Sequence, residues 1–179
     1  SCSLVGSEMC IRDSIWGTNE ISADAELFSV LTTFLESVGL TEEDVVIRVS
    51  SRKVLEEVLG ALGITGDLFA KTCIIVDKMD KLSPEVIDEQ LTELGHDSKV
   101  IATIQSTLGL KHLNSLKNVL KPDSAALSEL TQLFEAIDAY GISNWVKFDA
   151  SIVRGLAYYT GSVFEVNDRK GKFRAICGG

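Results

Sequence analysis

The stretch VRGLAYYTGSVFEV groups side chains that could bind and polarise a ligand. Arg154 carries a guanidinium with several hydrogen-bond donors, and Tyr158 and Tyr159 each carry a phenol that can donate or accept. Gly155 and Gly161 stand among them, and glycine lets the backbone bend or approach a ligand where a side chain would obstruct it. A lone arginine in a strand is more often a surface charge, and paired tyrosines are more often sheet packing. Together these residues predict a binding site.

The composition of the chain limits the classes of function. A length of 179 residues, 45% of them hydrophobic, suffices for one domain, or a domain and a subdomain, with its own core. The net charge of -9 argues against a broad surface for phosphate backbones, although a local basic site fits. Four scattered cysteines and two histidines indicate neither a zinc site nor a disulfide framework, so no metal site is predicted. No apolar run approaches the ~20 residues that span a bilayer, so we predict no membrane partner.

The first third of the chain predicts the order helix, strand, helix. Ser22 can cap a helix that stops at Gly39. The i, i+3, i+4 spacing of its apolar residues predicts an amphipathic helix whose apolar face is packed; these residues are Leu27, Val30, Leu31, Phe34, Leu35 and Val38. VVIRVS, residues 45 to 50, is short and β-branched and predicts a strand, after which Ser51 opens a second helix.

Residues 66 to 121 predict a helical insertion. TCIIVDKM has strand propensity, but the apolar residues around it keep helical spacing, so we predict helix. Ser83 before Pro84 starts another helix, and Asp97 or Ser98 starts the next one. Leucines outline one more short helix before Pro122. A longer helix, capped by Asp123 or Ser124, then runs to Gly141.

The last forty residues change to a period of two, which is typical of strands. Strands are predicted over 145–149, 162–166 and 172–177, with the NDRKG loop forming a hairpin in an antiparallel sheet. Phe164 and Val166 should share one face of this hairpin, opposite Val163 and Glu165. The basic residues of the hairpin could touch RNA, but a solvated turn is the favoured interpretation; they are Arg169, Lys170, Lys172 and Arg174.

The sequence FDASIVRGLAYYTGSVFEV, continued by DRKGKFRAICGG, resembles the second histidine-specific signature of histidyl-tRNA synthetases. That signature has the form Arg-Gly-Leu-x-Tyr-Tyr-Thr-Gly-x-x-Phe-Glu and is followed by a glycine-rich run. Upstream, IWGTNEISADAEL resembles the stretch just after motif 2 of this class II family, and the predicted insertion occupies the place of its insertion domain. The resemblance covers residues 15 to 179, most loosely between 66 and 121.

The resemblance implies an α+β fold, namely part of a class II catalytic domain with an antiparallel sheet, flanking helices and a helical insertion. It implies a ligase that joins L-histidine and ATP, with Mg2+, into histidyl-adenylate and then charges tRNA(His). It further implies a homodimer in the full-length enzyme, placed in the cytoplasm, a mitochondrion or a chloroplast.

The same resemblance assigns the site residues. By position, Arg154 corresponds to the arginine that binds the α-phosphate, and we also count it among the residues of the histidine site. Tyr158 and Tyr159 fall on the tyrosine pair of the histidine pocket. The backbone positions of the signature and of the glycine run are Gly155, Gly161, Gly178 and Gly179.

The chain also departs from the family pattern. Residues 1–14 are unlike the family and are interpreted as a foreign leader. The rest of the chain is predicted to have three parts. Residues 15–65 form the catalytic-domain segment that follows motif 2, residues 66–121 form the helical insertion, and residues 122–179 form the catalytic-domain segment with the signature. Motif 1, the motif 2 arginine, motif 3 and the anticodon-binding domain are not found, so the 179 residues alone are expected to be inactive.

Two other functions fit parts of the sequence. One is a non-catalytic relative, either the synthetase-like regulatory subunit of the first histidine-biosynthesis enzyme or a pseudo-synthetase domain. Such relatives tend to lose the signature that this chain keeps. The other is an unrelated helical interaction domain with a β-hairpin, which the acidic charge and the many short helices allow.

Overall fold

The computed structural model describes residues 21–79, 82–153, 161–171 and 175–179. Its helices and strands, in chain order, are α1 (Ile21–Ser37), β1 (Val45–Ser51), α2 (Arg52–Gly60), α3 (Gly66–Val76), α4 (Pro84–Glu93), α5 (Ser98–Leu108), the 3-10 helix η1 (Leu113–Asn118), α6 (Ala125–Ala139), β2 (Val146–Phe148), β3 (Ser162–Asp168) and β4 (Cys177–Gly178). Helices and one sheet in a single chain confirm the predicted α+β class.

The described residues form two units. The first unit contains the described residues up to Val49, together with 131–147 and 164–179. The second unit contains residues 50–130 and 148–163. The boundaries predicted from the sequence, at residues 65 and 121, follow the family resemblance rather than these units, and they stay predictions.

The sheet has the strand order β2-β1-β3-β4. β3 and β4 are antiparallel, with Glu165 opposite Gly178 and Val166 opposite Cys177. At the other end of the sheet β2 lies beside β1. There the Ile47 amide of β1 donates to the carbonyl of Trp145, the residue just before β2, over 2.7 Å. The three predicted strand regions therefore lie in one sheet with β1.

The core of the first unit joins α1, the sheet and the second half of α6. The rings of Phe28 in α1 and Phe164 in β3 meet edge to face, with centroids 5.2 Å apart and an interplanar angle of 83°. This arrangement suits the quadrupoles of two aromatic rings. Val166 and Cys177 are buried in the same core, which confirms the predicted apolar face of the hairpin.

The buried face of α1 differs from the prediction. Val30, Phe34 and Val38 are exposed at 61%, 49% and 56% of their surface. The core side instead carries Ala25, Phe28, Leu31, Thr32 and Leu35. Since apolar residues occupy two adjacent stripes of this helix, i, i+3, i+4 spacing fits either stripe, and only tertiary packing selects one. The prediction was wrong for those three residues.

Three element ends also differ from the prediction. Ser22 lies inside α1 rather than capping it. Asn167 and Asp168 belong to β3, so the NDRKG segment as a whole does not form the predicted loop; Gly171, just after β3, has a φ of 64°, which favours glycine. β4 begins only at Cys177, whereas the predicted strand covered 172–177, of which 172–174 lie outside the described residues.

Three helices, α2, α5 and α6, begin where a short polar side chain accepts a backbone hydrogen bond. Ser51 accepts from the Lys53 amide at the start of α2, and Asp97 accepts from the Val100 amide at the start of α5. Ser124 likewise accepts from the Leu127 amide in the first turn of α6. These bonds satisfy donors that have no partner within the helix, which confirms the caps predicted from the sequence.

Two side chains of α2 bind the first turns of α6. Glu57 accepts a hydrogen bond from the Ala126 amide over 2.9 Å. Lys53 Nζ lies 2.6 Å from Glu129 Oε1 in a half-exposed ion pair. A carboxylate at a helix N-terminus also interacts favourably with the helix dipole.

His96 is buried within the second unit beside Thr72. His96 Nε2 lies 2.7 Å from Thr72 Oγ1, and Thr72 Oγ1 donates to the Leu68 carbonyl over 2.8 Å. Burial lowers the pKa of His96 below its ordinary value of 6.5, and the charge of Asp97 opposes this shift. The buried imidazole therefore favours its neutral form more than an exposed histidine does.

Stability should fall as the pH drops below 6.5, the ordinary pKa of His96. The unfolded histidine then takes up a proton that the buried ring resists, so the unfolded state binds more protons. The free energy of unfolding decreases by at most about 1.4 kcal/mol per pH unit. Urea denaturation at about pH 7 and about pH 5.5 measures the loss, which His96→Gln should reduce. His112→Gln, at an exposed histidine of the insertion, is the control; equal losses in wild type and His96→Gln would contradict the assignment.

Candidate functional site

The four residues that carry the predicted chemistry lie outside the described residues; they are Arg154, Gly155, Tyr158 and Tyr159. Their roles stay predictions. The structure does describe the segment that leads into them, which ends at Val153 in the second unit. It also describes β3, which follows them in the chain.

A tight turn precedes the signature, and we call residues 149–152 the Asp149 turn. The Ile152 amide donates to the Asp149 carbonyl over 3.2 Å, which closes the turn. The Asp149 carboxylate accepts from the Ser151 amide over 3.0 Å and from the Ser151 hydroxyl over 2.6 Å. An aspartate that binds the amide two residues ahead is typical of such turns.

Lys111, from the segment between α5 and η1, completes the polar cluster. Its Nζ lies 2.5 Å from Asp149 Oδ1 and 3.1 Å from Ser151 Oγ. The Asp149 side chain is only 8% exposed, whereas that of Lys111 is 50% exposed. A nearly buried carboxylate needs such donors, because its loss of hydration is otherwise uncompensated.

Two further contacts hold the same segment. The Ala150 amide donates to the Leu110 carbonyl over 3.0 Å. Val153 is 4% exposed and packs in the core formed by residues of α2, α3, α4 and α5. The residues directly before Arg154 are therefore fixed by an ion pair, a backbone hydrogen bond and apolar packing.

On the other flank, the glycine run pairs with β3. The Phe164 amide donates to the Gly179 carbonyl over 2.9 Å, and the Gly179 amide donates to the Phe164 carbonyl over 3.2 Å. Gly178 lies opposite Glu165. Gly161 directly precedes β3, and a Cβ at this position would meet no atom of the described residues within 4 Å. That Gly161 lets the backbone bend or come close to a ligand stays a prediction.

Arg169 has a structural position that the sequence did not indicate. Its Nε donates to the carbonyls of Glu42 and Val45 over 2.5 and 3.1 Å, and its Nη2 donates to the Asn144 carbonyl over 2.6 Å. A cavity of about 590 Å3 lies beside it, lined also by Glu43 and Lys147. Since its guanidinium binds three carbonyls, Arg169 is part of the fold, unlike the solvated turn residue that was predicted.

The buried Cys73 thiol is not a reactive nucleophile at neutral pH. Burial raises the pKa of the Cys73 thiol to about 11, so it stays protonated at neutral pH. Within residues 21–79, 82–153, 161–171 and 175–179, no three His, Cys, Asp or Glu side chains are grouped as metal ligands. In the same ranges, no helix is long and apolar enough to cross a membrane.

Comparison with known proteins identifies the family. A family model described as histidyl-tRNA synthetase matches residues 14–179. The chain belongs to the histidyl-tRNA synthetase family. This family consists of class II aminoacyl-tRNA synthetases, which are ligases of protein biosynthesis. The resemblance read from the signature is thus confirmed, and the alternative of an unrelated helical interaction domain is wrong.

A plant synthetase and two solved structures illustrate the similarity. The chain is 46% identical over 165 residues to the chloroplastic/mitochondrial histidine–tRNA ligase of Arabidopsis thaliana, covering 92% of this chain and 34% of that protein. The crystal structure of histidyl-tRNA synthetase from Nostoc sp. PCC 7120 aligns with a TM-score of 0.74 at 25% identity, over 84% of this chain and 37% of that one.

The other structure is titled an ATP phosphoribosyltransferase regulatory subunit/histidyl-tRNA synthetase from Bacillus halodurans C. It aligns with a TM-score of 0.72 at 20% identity, over 90% of this chain and 43% of that one. This likeness shows the fold alone. The chain spans about a third of the length of the curated synthetases it matches.

Sequence reasoning missed Lys111, Asp149 and Ser151 as members of the site's surroundings. One signal was available, since an aspartate at the end of a predicted strand and two residues before a serine is typical of a turn. No comparable signal marked Lys111, which is 38 residues away along the chain.

Proposed function

We propose that the full-length protein containing these 179 residues is a histidine–tRNA ligase. It activates L-histidine with ATP to histidyl-adenylate and pyrophosphate, and then transfers the histidyl group to tRNA(His). The observation that carries this proposal is the complete signature from Arg154 to Glu165, in a chain that belongs to the synthetase family. Relatives named histidine–tRNA ligase support it.

Arg154 is proposed to act on the α-phosphate. Attack of the histidine carboxylate on that phosphorus forms a P–O bond and breaks the bond to the pyrophosphate oxygen, through a pentacoordinate arrangement with negative charge on the non-bridging oxygens. A guanidinium can place paired donors on two such oxygens and keeps its charge at neutral pH. Arg154 would thus bind the reacting group most strongly as the bond changes.

Tyr158 and Tyr159 are proposed to form part of the histidine pocket. A phenol can hydrogen-bond a ring nitrogen of neutral imidazole, and its ring can pack against the flat face of the substrate. Mg2+ is proposed to enter with the ATP phosphates, whose charge it offsets when bound; no protein ligand for it is proposed in the described part of the chain.

The proposal extends to a homodimer in the cytoplasm, a mitochondrion or a chloroplast. Relatives with this name include a chloroplastic/mitochondrial and a cytoplasmic protein. The second candidate, a non-catalytic regulatory subunit, is favoured only by the likeness to the Bacillus halodurans structure. Retention of Arg154, Gly155, Tyr158 and Tyr159 supports the ligase instead.

The test is exchange of labelled pyrophosphate into ATP by the purified full-length protein. We expect exchange with L-histidine and none with L-glutamine or without an amino acid, because only the matched imidazole pairs the polar groups of the pocket. Charging of tRNA(His) transcripts should follow the same selectivity. A folded full-length protein that binds histidine but gives no exchange would support the regulatory candidate and contradict the ligase.

A further inference from the structure

The predicted insertion contacts the segment just before the signature, and neither the family assignment nor the proposed function explains these contacts. Lys111 and Leu110 belong to the insertion, while Asp149 and Ala150 lie five and four residues before Arg154. The Lys111–Asp149 ion pair and the Ala150–Leu110 hydrogen bond join these two parts of the second unit. Each contact spans about forty residues of sequence.

The polar contacts converge on one atom. Asp149 Oδ1 accepts from Lys111 Nζ, from the Ser151 hydroxyl and from the Ser151 amide. Lys111 Nζ also donates to the Ser151 hydroxyl. The three groups therefore restrain one another, and the cation closes a turn that a carboxylate and a serine alone would hold less firmly.

The apolar contact lies next to the predicted arginine. Val153 is buried among helices of the insertion, in a core with Phe69, Ile87 and Ile104. Because consecutive Cα atoms are about 3.8 Å apart across a trans peptide, fixing Val153 restricts where the following residue can lie. The Asp149 turn and Val153 thus form a short, doubly anchored lead into Arg154.

We infer that Lys111 and Asp149 are positioning residues for Arg154, and that the insertion helps to orient the reacting groups of the ligase through them. This inference rests on the proposed function, since it assigns a catalytic role to Arg154. A small displacement of a group that acts on the transition state lowers the rate far more than it weakens substrate binding. The ion pair itself is half open to solvent, so its main effect should be on geometry rather than on global stability.

The chain supplies a matched control. Lys53 and Glu129 form an ion pair of similar length, 2.6 Å, in the same unit, with side chains 34% and 36% exposed. That pair joins α2 to α6. Lys53→Met therefore removes a comparable lysine whose ion-pair partner, Glu129, lies outside the Asp149 turn.

The first measurement is pyrophosphate exchange by full-length variants. We expect Lys111→Met to lower kcat about tenfold, with the KM for histidine and ATP changed less than about twofold. Lys53→Met should keep kcat within about twofold, and Lys111→Arg should recover most of the lost rate because it keeps a cationic donor. Equal kcat in Lys111→Met and Lys53→Met would overturn the inference.

A double variant separates positioning from stability. Lys111→Met removes one donor from the nearly buried Asp149 carboxylate. Any fall in the melting temperature of this variant should be partly reversed by adding Asp149→Asn, which removes the buried charge. Positioning requires kcat to stay low in the double variant. Recovery of kcat in step with melting temperature would mean a merely structural role. If Lys111→Met does not fold, Ser151→Ala replaces it with the same expected kcat effect.

The second measurement does not depend on activity. Amide hydrogen exchange of peptides covering residues 149–160 in the full-length protein should be faster in Lys111→Met than in wild type or Lys53→Met. Unchanged exchange in these peptides would overturn the inference even if the protein proves to be no ligase. Absence of pyrophosphate exchange in wild type, with faster hydrogen exchange in Lys111→Met, would instead contradict the proposed function alone.

Discussion

Arg154→Ala in the full-length protein should reduce histidine-dependent pyrophosphate exchange by about 1000-fold or more. Positioned donors on a transferring phosphoryl or acyl group are worth roughly this much when one is removed. The KM for histidine should change only a few-fold, because charge on the non-bridging oxygens develops mainly in the transition state. Steady-state exchange gives the rate, and calorimetric titration with histidine gives the ground-state affinity.

Arg154→Lys is the informative companion variant. Lysine keeps the positive charge but is a point donor, so it lacks the planar fork that can bond two oxygens at once. We expect it to recover little of the lost rate. Near-normal exchange in Arg154→Ala would remove Arg154 from its proposed role, whereas full rescue by lysine would show that charge alone matters.

Tyr159→Phe should raise the KM for histidine roughly 10- to 100-fold, with a smaller effect on ATP. The substitution keeps the ring but deletes the hydroxyl, so a polar group of the bound imidazole loses its partner, at a cost of about 1–3 kcal/mol. Isothermal titration with each substrate separates the two affinities. The same reasoning makes a uniform loss for both substrates inconsistent with a histidine pocket.

Tyr140→Phe provides the control for this experiment. Tyr140 is 50% exposed and follows α6 in the first unit, outside the signature. Deleting its hydroxyl should leave both affinities within about twofold. The hydroxyl of an exposed tyrosine bonds to water, so its removal leaves no buried polar group without a partner. A comparable change in Tyr140→Phe would show that the assay reports stability rather than the pocket.

Local features of the fold were predictable because few neighbouring residues determine them. The caps at Ser51, Asp97 and Ser124 were found from residue type and position, and the structure has all three side chains bonded to backbone amides. The helical interpretation of TCIIVDKM was also correct for the part that lies in α3. There, spacing over several turns outweighed the β-branched propensity of single residues.

Features that depend on distant residues were not predictable in the same way. The exposed stripe of α1 at Val30 and Phe34 has the same periodicity as the buried stripe. Packing against the sheet therefore determines which of the two stripes is buried. The Lys111–Asp149 pair needs the insertion and the segment before the signature to meet in space. Composition does not show which lysine pairs with which aspartate, and a charged residue by itself most often indicates a solvated surface.

The site was recognised from a dense signature rather than from chemistry alone. Arg154 and Tyr158 would each be interpreted as ordinary strand residues if taken singly. Their order with Gly155 and Tyr159 matches a family, and the family match over residues 14–179 confirms that resemblance. The roles of these residues stay predictions, which the variants above address.

The bonds of Arg169 have a consequence for the order in which the chain folds. Its partners Glu42, Val45 and Asn144 are 127, 124 and 25 residues away along the sequence. Such distant contacts carry a high loop-closure entropy, so we expect them to form after the local helices. Contacts made after the transition state govern how fast a protein unfolds rather than how fast it folds. We therefore expect the bonds of Arg169 to slow unfolding more than they speed folding.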